Sequence, residues 1–118
     1  MRVIVAGAVA WANDGAIRRE LRALAPGTEV IHGDSPGADA LGGAIAAELG
    51  FTVRPMAKNQ QDRSRYKRGA WKGLNERMVA EGPALVLVFH PDIEGSQGSK
   101  HLRELCLAAG VEVRVFTG

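Results

Sequence analysis

The stretch His32-Gly33-Asp34-Ser35-Pro36-Gly37-Ala38-Asp39 decides how the rest of the chain is read. It follows a short strand-like run, Glu29 to Ile31, and precedes a segment of small residues with helical spacing. Gly33 and Gly37 let the backbone take positive φ or approach a ligand closely. Ser35 suits an N-cap and Pro36 the first helical position. A strand passing through such a turn into a helix leaves unbonded N–H groups and the positive end of a helix dipole facing outward. Two readings follow: a turn that binds phosphate or carboxylate, or an ordinary capped strand-to-helix turn.

Working outward from this turn, strands and helices alternate. Arg2 to Ala6 is an apolar run with the character of a central strand, and Gly7 to Trp11 is the turn after it. Asn13 caps a helix with Asp14 in its first turn, and Ile17, Leu21 and Leu24 repeat at helical spacing until Pro26-Gly27. From Pro36 to Leu49, Leu41, Ile45 and Leu49 form one stripe, and the Ala/Gly background predicts a helix pressed closely on a sheet. Phe51 to Arg54 is a third strand, stopped by Pro55. Lys58 to Arg65 reads as a polar loop with Tyr66 beside it, and long loops of this kind are often functional. A helix is predicted over Lys67–Glu81, burying Ala70, Trp71, Leu74 and Met78, with Gly69 and Gly73 weakening it. The unbroken apolar run Ala84–Phe89 predicts a strand buried on both faces. His90 to Gly98 is a loop, Ser99 to Ala109 a helix with Leu102, Leu105 and Cys106 inward, and Val111 to Phe116 the last strand.

This alternation predicts an α/β three-layer sandwich: a parallel five-stranded sheet with helices on both faces. Right-handed crossovers leave few topologies, and the order 3-2-1-4-5 is favoured. Ligands then bind at the carboxyl edge, where the order reverses between strands 1 and 4. The loops Gly7–Trp11, His32–Pro36 and His90–Gly98 converge there.

Bulk properties narrow the class. A chain of 118 residues, 46% hydrophobic, suits a single domain over 1–118. No apolar run reaches membrane-spanning length, and Met1–Gly7 reads as a strand rather than a signal peptide, so a cytoplasmic location is expected. Cys106 is the single cysteine, flanked by leucines, and reads as a buried thiol in a reducing compartment. No Cys/His cluster has metal-ligand spacing, with His90 and His101 isolated, so neither a metal nor a required cofactor is expected. The net charge is only +2, yet Lys58, Arg63, Arg65, Lys67, Arg68, Lys72 and Arg77 crowd one segment against Asp62 and Glu76. That segment is either a patch for phosphate or nucleic acid, or a solvated loop and helix face.

The motifs, taken in order, resemble the YspA-related branch of the SLOG superfamily, the Rossmann-like group named for the Smf/DprA and LOG proteins. The residues that carry the likeness are Gly7 and Trp11, then His32, Gly33, Gly37, Ala38 and Asp39. Asn75 and Met78 follow, then Phe89, His90, Gly98 and Ser99. The likeness covers nearly the whole chain, and its most specific part is His32–Asp39. It implies a Rossmann-like sandwich with a nucleotide-type ligand site. It also admits a phage or mobile-element origin, on which no residue here bears. The departures are Ala8-Val9 where the family has Ser-Arg, Leu74 where it has Arg, and Gln97 and Ser99 where Lys and Thr are common. Leu102 stands at the position of the catalytic Glu of the LOG branch, and an apolar side chain cannot shuttle a proton.

The expected ligand and phosphate-binding residues are therefore Gly7, Ala8, Trp11, His32, Gly33, Gly37, Asp39, Asn75, His90, Gly98, Ser99 and Lys100. Gly33 and Gly37 present N–H groups or make a tight turn. Asp39 bonds a ribose hydroxyl or the Gly7 loop, or simply complements the helix dipole. Trp11 stacks on a base or packs at the rim, and Tyr66 with Arg65 forms a lid. Gly98 and Ser99 open a second helix start facing the first, with Lys100 adding charge, which suits a diphosphate or phosphoribosyl group. Asn75 reads a base edge or ribose, or ties its helix to a loop. Three functions follow. The first is binding of a nucleotide or derivative, as sensor or sequestering protein. The second is an enzyme on a nucleoside phosphate or ADP-ribose-like substrate, with His32, Asp39 or Asp34 as acid/base. The third is nucleic-acid binding through the Lys58–Arg77 segment. A homo-oligomer paired through exposed helix faces is expected.

Overall fold

The computed structural model describes residues 1–118. Its strands are β1 (Arg2–Gly7), β2 (Glu29–His32), β3 (Thr52–Pro55), β4 (Leu85–Phe89) and β5 (Glu112–Phe116). Its α-helices are α1 (Asp14–Arg22), α2 (Ala38–Glu48), α3 (Gln60–Tyr66), α4 (Trp71–Ala80) and α5 (Gly98–Ala108). The five strands form one parallel sheet in the order β3-β2-β1-β4-β5, as the alternation predicted.

Strand periodicity assigns the two faces. Val3 and Val5 of β1, Val30 of β2, and Leu85, Leu87 and Phe89 of β4 pack with Ile17 and Leu21 of α1 and Ile45 of α2. Ile4 and Ala6, Ile31, and Val86 and Val88 point the other way, onto Leu74 and Met78 of α4 and Leu102 and Cys106 of α5. Every residue of β4 is buried, which explains its unbroken apolar sequence. Fully burying each Ile, Val or Phe contributes about 1.5–3 kcal/mol, so this central pair of strands anchors both layers. The small residues of α2 serve close approach: a Cβ at Gly42 would lie 2.5 Å from Val5 Cγ1.

Three local expectations are corrected. The segment Lys58–Arg65 is mostly helix α3, not a loop. Asn59 accepts from Asp62 N–H at 2.9 Å, and the Asp62 carboxylate accepts from Asn59 N–H at 3.0 Å, a reciprocal capping box. The predicted Lys67–Glu81 helix is divided. A 3₁₀ turn at Lys67–Gly69, opening on Lys67 at φ +55°, lies between α3 and α4. Trp71 is half-buried rather than buried. Gly73 makes room for the Asp62 carboxylate, since a Cβ there would sit 2.3 Å from Asp62 Oδ1. Finally, α2 starts at Ala38 with Gly37 at the N-cap, so Ser35 and Pro36 lie before the helix. Gly37 takes φ +75°, and a Cβ would fall 2.3 Å from the carbonyl oxygens of Ala8 and Val9. The loop after β1 rests on this glycine, and that contact sets where the helix begins.

Candidate functional site

A cavity of about 630 Å³ opens at the carboxyl edge of the sheet, between β1 and β4. The end of β1 and the loop after it contribute Gly7 to Ala10, and the β2–α2 turn with the start of α2 contributes Asp34, Ser35 and Asp39. Leu74, Asn75 and Met78 of α4 and Leu102 of α5 form its inner wall, with Trp71 at one side. His90, Pro91 and Ser96–Ser99 close the opposite side, and Lys58 reaches in from beyond β3. The cavity thus lies at the switch point, on the face of the sheet that carries α4 and α5.

Of the expected residues, Gly7, Ala8, Asp39, Asn75, His90, Gly98 and Ser99 line this cavity. Trp11, His32, Gly33, Gly37 and Lys100 do not. Trp11 is 8% exposed, tilted against Phe89 at 5.7 Å, and donates to Asn13 O at 2.9 Å. It belongs to the core under α1 and α2. His32 shares a strand face with Val30, so its ring turns toward α2, where a Cβ on Gly43 would lie 2.4 Å from Nε2. Its Nδ1 lies 2.8 Å from Gly33 O. Gly33 is buried beneath the Asp39 carboxylate, and Gly37 is half-buried against the β1–α1 loop. Lys100 pairs with Glu94 at 3.7 Å on the outer side of α5.

Asp39 is the most unusual group in the cavity. It is 8% exposed in the first turn of α2. Oδ2 accepts from Ser35 N–H at 3.3 Å, and no protein donor reaches Oδ1. Burial pushes its pKa up to about 7; the Ser35 bond opposes this, and nearby Asp34 adds to it. Asp34 is committed elsewhere: it accepts from Lys58 Nζ at 2.7 Å and from Lys58 N–H at 3.0 Å. Burial opposes ionisation of Asp34, but the combined Lys58 contacts hold its pKa below the usual value.

The two helix starts are partly satisfied from within. Ala38 N–H donates to Ala8 O at 3.1 Å, and Ser99 N–H to Ser96 Oγ at 3.1 Å. The N–H groups of Asp39 and Gly98, both residues of the cavity wall, have no protein acceptor. Asn75 is 7% exposed, and its Nδ2 donates to Gly98 O and to His101 Nδ1, each at 3.1 Å. It therefore does tie α4 to the start of α5. The bond to His101 fixes the Nε2–H tautomer of that neutral ring, whose pKa burial lowers. His90 Nδ1 likewise accepts from Asp92 N–H at 2.9 Å, leaving Nε2–H as its donor.

The apolar wall of Leu74, Met78 and Leu102 was not foreseen as part of the site. The i, i+4 pair Leu74 and Met78 reads as core from its spacing, while the resemblance puts Leu74 where the family has Arg and Leu102 where the LOG branch has its Glu. The basic segment is thinner than its sequence. Lys58 pairs with Asp34, Arg77 with Asp62 at 2.5 Å, and Arg65 with Glu76 at 3.6 Å. Arg63, Lys67, Arg68 and Lys72 have no carboxylate partner. Tyr66 donates to Glu76 at 2.8 Å under Arg65, outside the cavity wall, so the pair braces α3 on α4 rather than closing the crevice.

The fold and the crevice define a Rossmann-like α/β protein with a cavity at its topological switch point. No helix is long and apolar enough to cross a membrane. Comparison with known protein families and with curated proteins gives no match.

Proposed function

We propose that the chain binds a nucleotide or nucleotide derivative in this crevice, as a sensor or sequestering protein. The observation that carries the reading is the meeting of two helix starts on one cavity, with the Asp39 and Gly98 N–H groups unfilled. Such groups favour a phosphate. The apolar wall of Leu74, Met78 and Leu102 beside them suits a base or other flat group. The likeness to the SLOG superfamily supports the same reading. Leu102 lies in the cavity wall where that likeness places a catalytic Glu in the LOG branch, which favours binding without glycosidic cleavage. We further read the protein as cytoplasmic, with Cys106 a buried free thiol, and as a homo-oligomer.

One observation favours chemistry as a second reading. Asp39 is a buried carboxyl whose pKa of about 7 suits a general acid or base on a nucleoside phosphate or ADP-ribose-like substrate. His32 has no part in it, because its ring faces α2. Nucleic-acid binding rests on the four cations without carboxylate partners, and predicts affinity that falls steeply with salt.

The test is mass spectrometry of small molecules released by denaturing the purified protein, followed by titration and turnover assays with the released compound. A stoichiometric nucleotide that is not consumed supports binding. Consumption that is lost in Asp39→Asn supports the enzyme. An empty protein that also binds no nucleotide at millimolar concentration overturns both.

A further inference from the structure

We propose that Asp39 and Asn75 make the crevice selective for a ribonucleotide over its deoxyribonucleotide, by accepting hydrogen bonds from the vicinal hydroxyls of the sugar. This inference rests on the nucleotide reading and names what that site distinguishes. Both side chains are more than nine-tenths buried and both line the cavity. Each carries an oxygen with no donor in the protein: Asp39 Oδ1 and Asn75 Oδ1. Asn75 has spent both Nδ2 protons on Gly98 O and His101 Nδ1, so toward a ligand it is an acceptor only. An ionised Asp39 is likewise an acceptor only. A ligand group opposite Asn75 Oδ1, and opposite Asp39 Oδ1 once Asp39 is ionised above about pH 7, must therefore be a donor, which excludes phosphate oxygens from that position.

The placement selects the kind of donor. Asp39 offers its main-chain N–H for a phosphate and its carboxylate for a donor, from one residue. The two ligand groups must then lie within one short unit of each other. In a nucleotide the hydroxyls one sugar away from the phosphate meet this condition, whereas the amino groups of the bases lie beyond the sugar. A hydroxyl donor also relieves the cost that burial imposes on the Asp39 carboxylate. A deoxy sugar leaves a buried acceptor unpaired, and sites of that kind reject the analogue that lacks the donor.

The experiment is calorimetric titration of the wild type and of Asp39→Asn with AMP, GMP, CMP and UMP and their 2′-deoxy counterparts. Asn at position 39 keeps the shape and the acceptor for Ser35 N–H. The wild type is expected to favour the ribo form of whichever nucleotide binds by about tenfold or more, and Asp39→Asn to shrink that ratio severalfold. Equal wild-type affinity for ribo and deoxy forms overturns the inference and leaves nucleotide binding intact. So does an Asp39→Asn variant that weakens both forms alike with the ratio unchanged, because that is a structural loss. Binding of none of the eight compounds overturns the underlying reading together with the inference.

Discussion

Replacing Asp39 with Asn should stabilise the protein, and the gain should grow with pH. The folded state holds the Asp39 proton up to about pH 7, against an ordinary carboxyl value of 3.8. Between those values the unfolded chain binds fewer protons than the folded one, so this group makes stability fall as pH rises. At 1.36 kcal/mol per pKa unit the cost integrates to about 1.5 kcal/mol at pH 5 and about 4 kcal/mol at pH 8. Asn carries none of this cost and retains an oxygen for Ser35 N–H. Urea unfolding at both pH values gives the comparison, and the difference between the two gains removes any effect of the substitution that is independent of pH. The expected difference is about 2–3 kcal/mol in favour of pH 8. The depressed carboxyl groups Asp34, Asp62 and Glu94 do not interfere, because their contributions are lost only at lower pH. A variant with the same gain at both pH values, or one less stable than wild type at pH 8, refutes the reasoning. A carboxyl retained at such a cost is the signature expected of a ligand-binding or catalytic group.

Gly37→Ala should cost about 3 kcal/mol or more, because positive φ and two carbonyl oxygens 2.3 Å from the new Cβ act together. Urea unfolding measures it, and a loss under about 1 kcal/mol contradicts the contact. His32→Ala should lower stability by about 1–2 kcal/mol yet change ligand affinity less than about twofold, since its ring packs on α2. A large loss of affinity with stability preserved would return His32 to the site. Arg77→Met should destabilise by about 2–4 kcal/mol near pH 7, because the buried Asp62 carboxylate loses its guanidinium partner. The Arg77 hydrogen bond holds the Asp62 pKa low, so the loss should be smaller at pH 4, where Asp62 can take a proton in the variant. An equal loss at both pH values would assign the effect to packing alone.

Much of the fold was legible because it rests on pattern. Ala84–Phe89 has the unbroken apolar character of a strand covered on both faces, and the alternation around it leaves few strand orders, of which the favoured one is observed. Helix α3 was not legible, because no apolar stripe marks it. Its support is the Asn59–Asp62 box and a partner, Arg77, that lies on the next helix. The start of α2 was misplaced for a tertiary reason: Ser35 and Pro36 carry the local signals, while the loop after β1 acts on Gly37. In the site, the loops were legible and the directions of side chains were not. Period-two alternation places His32 on the face of Val30 and Val5, away from α4. Assigning the faces of β2 before choosing candidates would have removed it. Asp39 was legible as a residue, but its burial is not a sequence property. It arises where the β2–α2 turn folds over Gly33.

The most direct test of the central claim is a titration of the ¹⁵N-labelled protein with a ribonucleotide, followed through its backbone amide resonances. Binding in the crevice predicts saturable shifts concentrated on Gly7–Ala10, Asp34, Ser35, Asp39, Gly98 and Ser99, which line it. Shifts confined to Arg63–Lys72, or no shift at millimolar nucleotide, would contradict it.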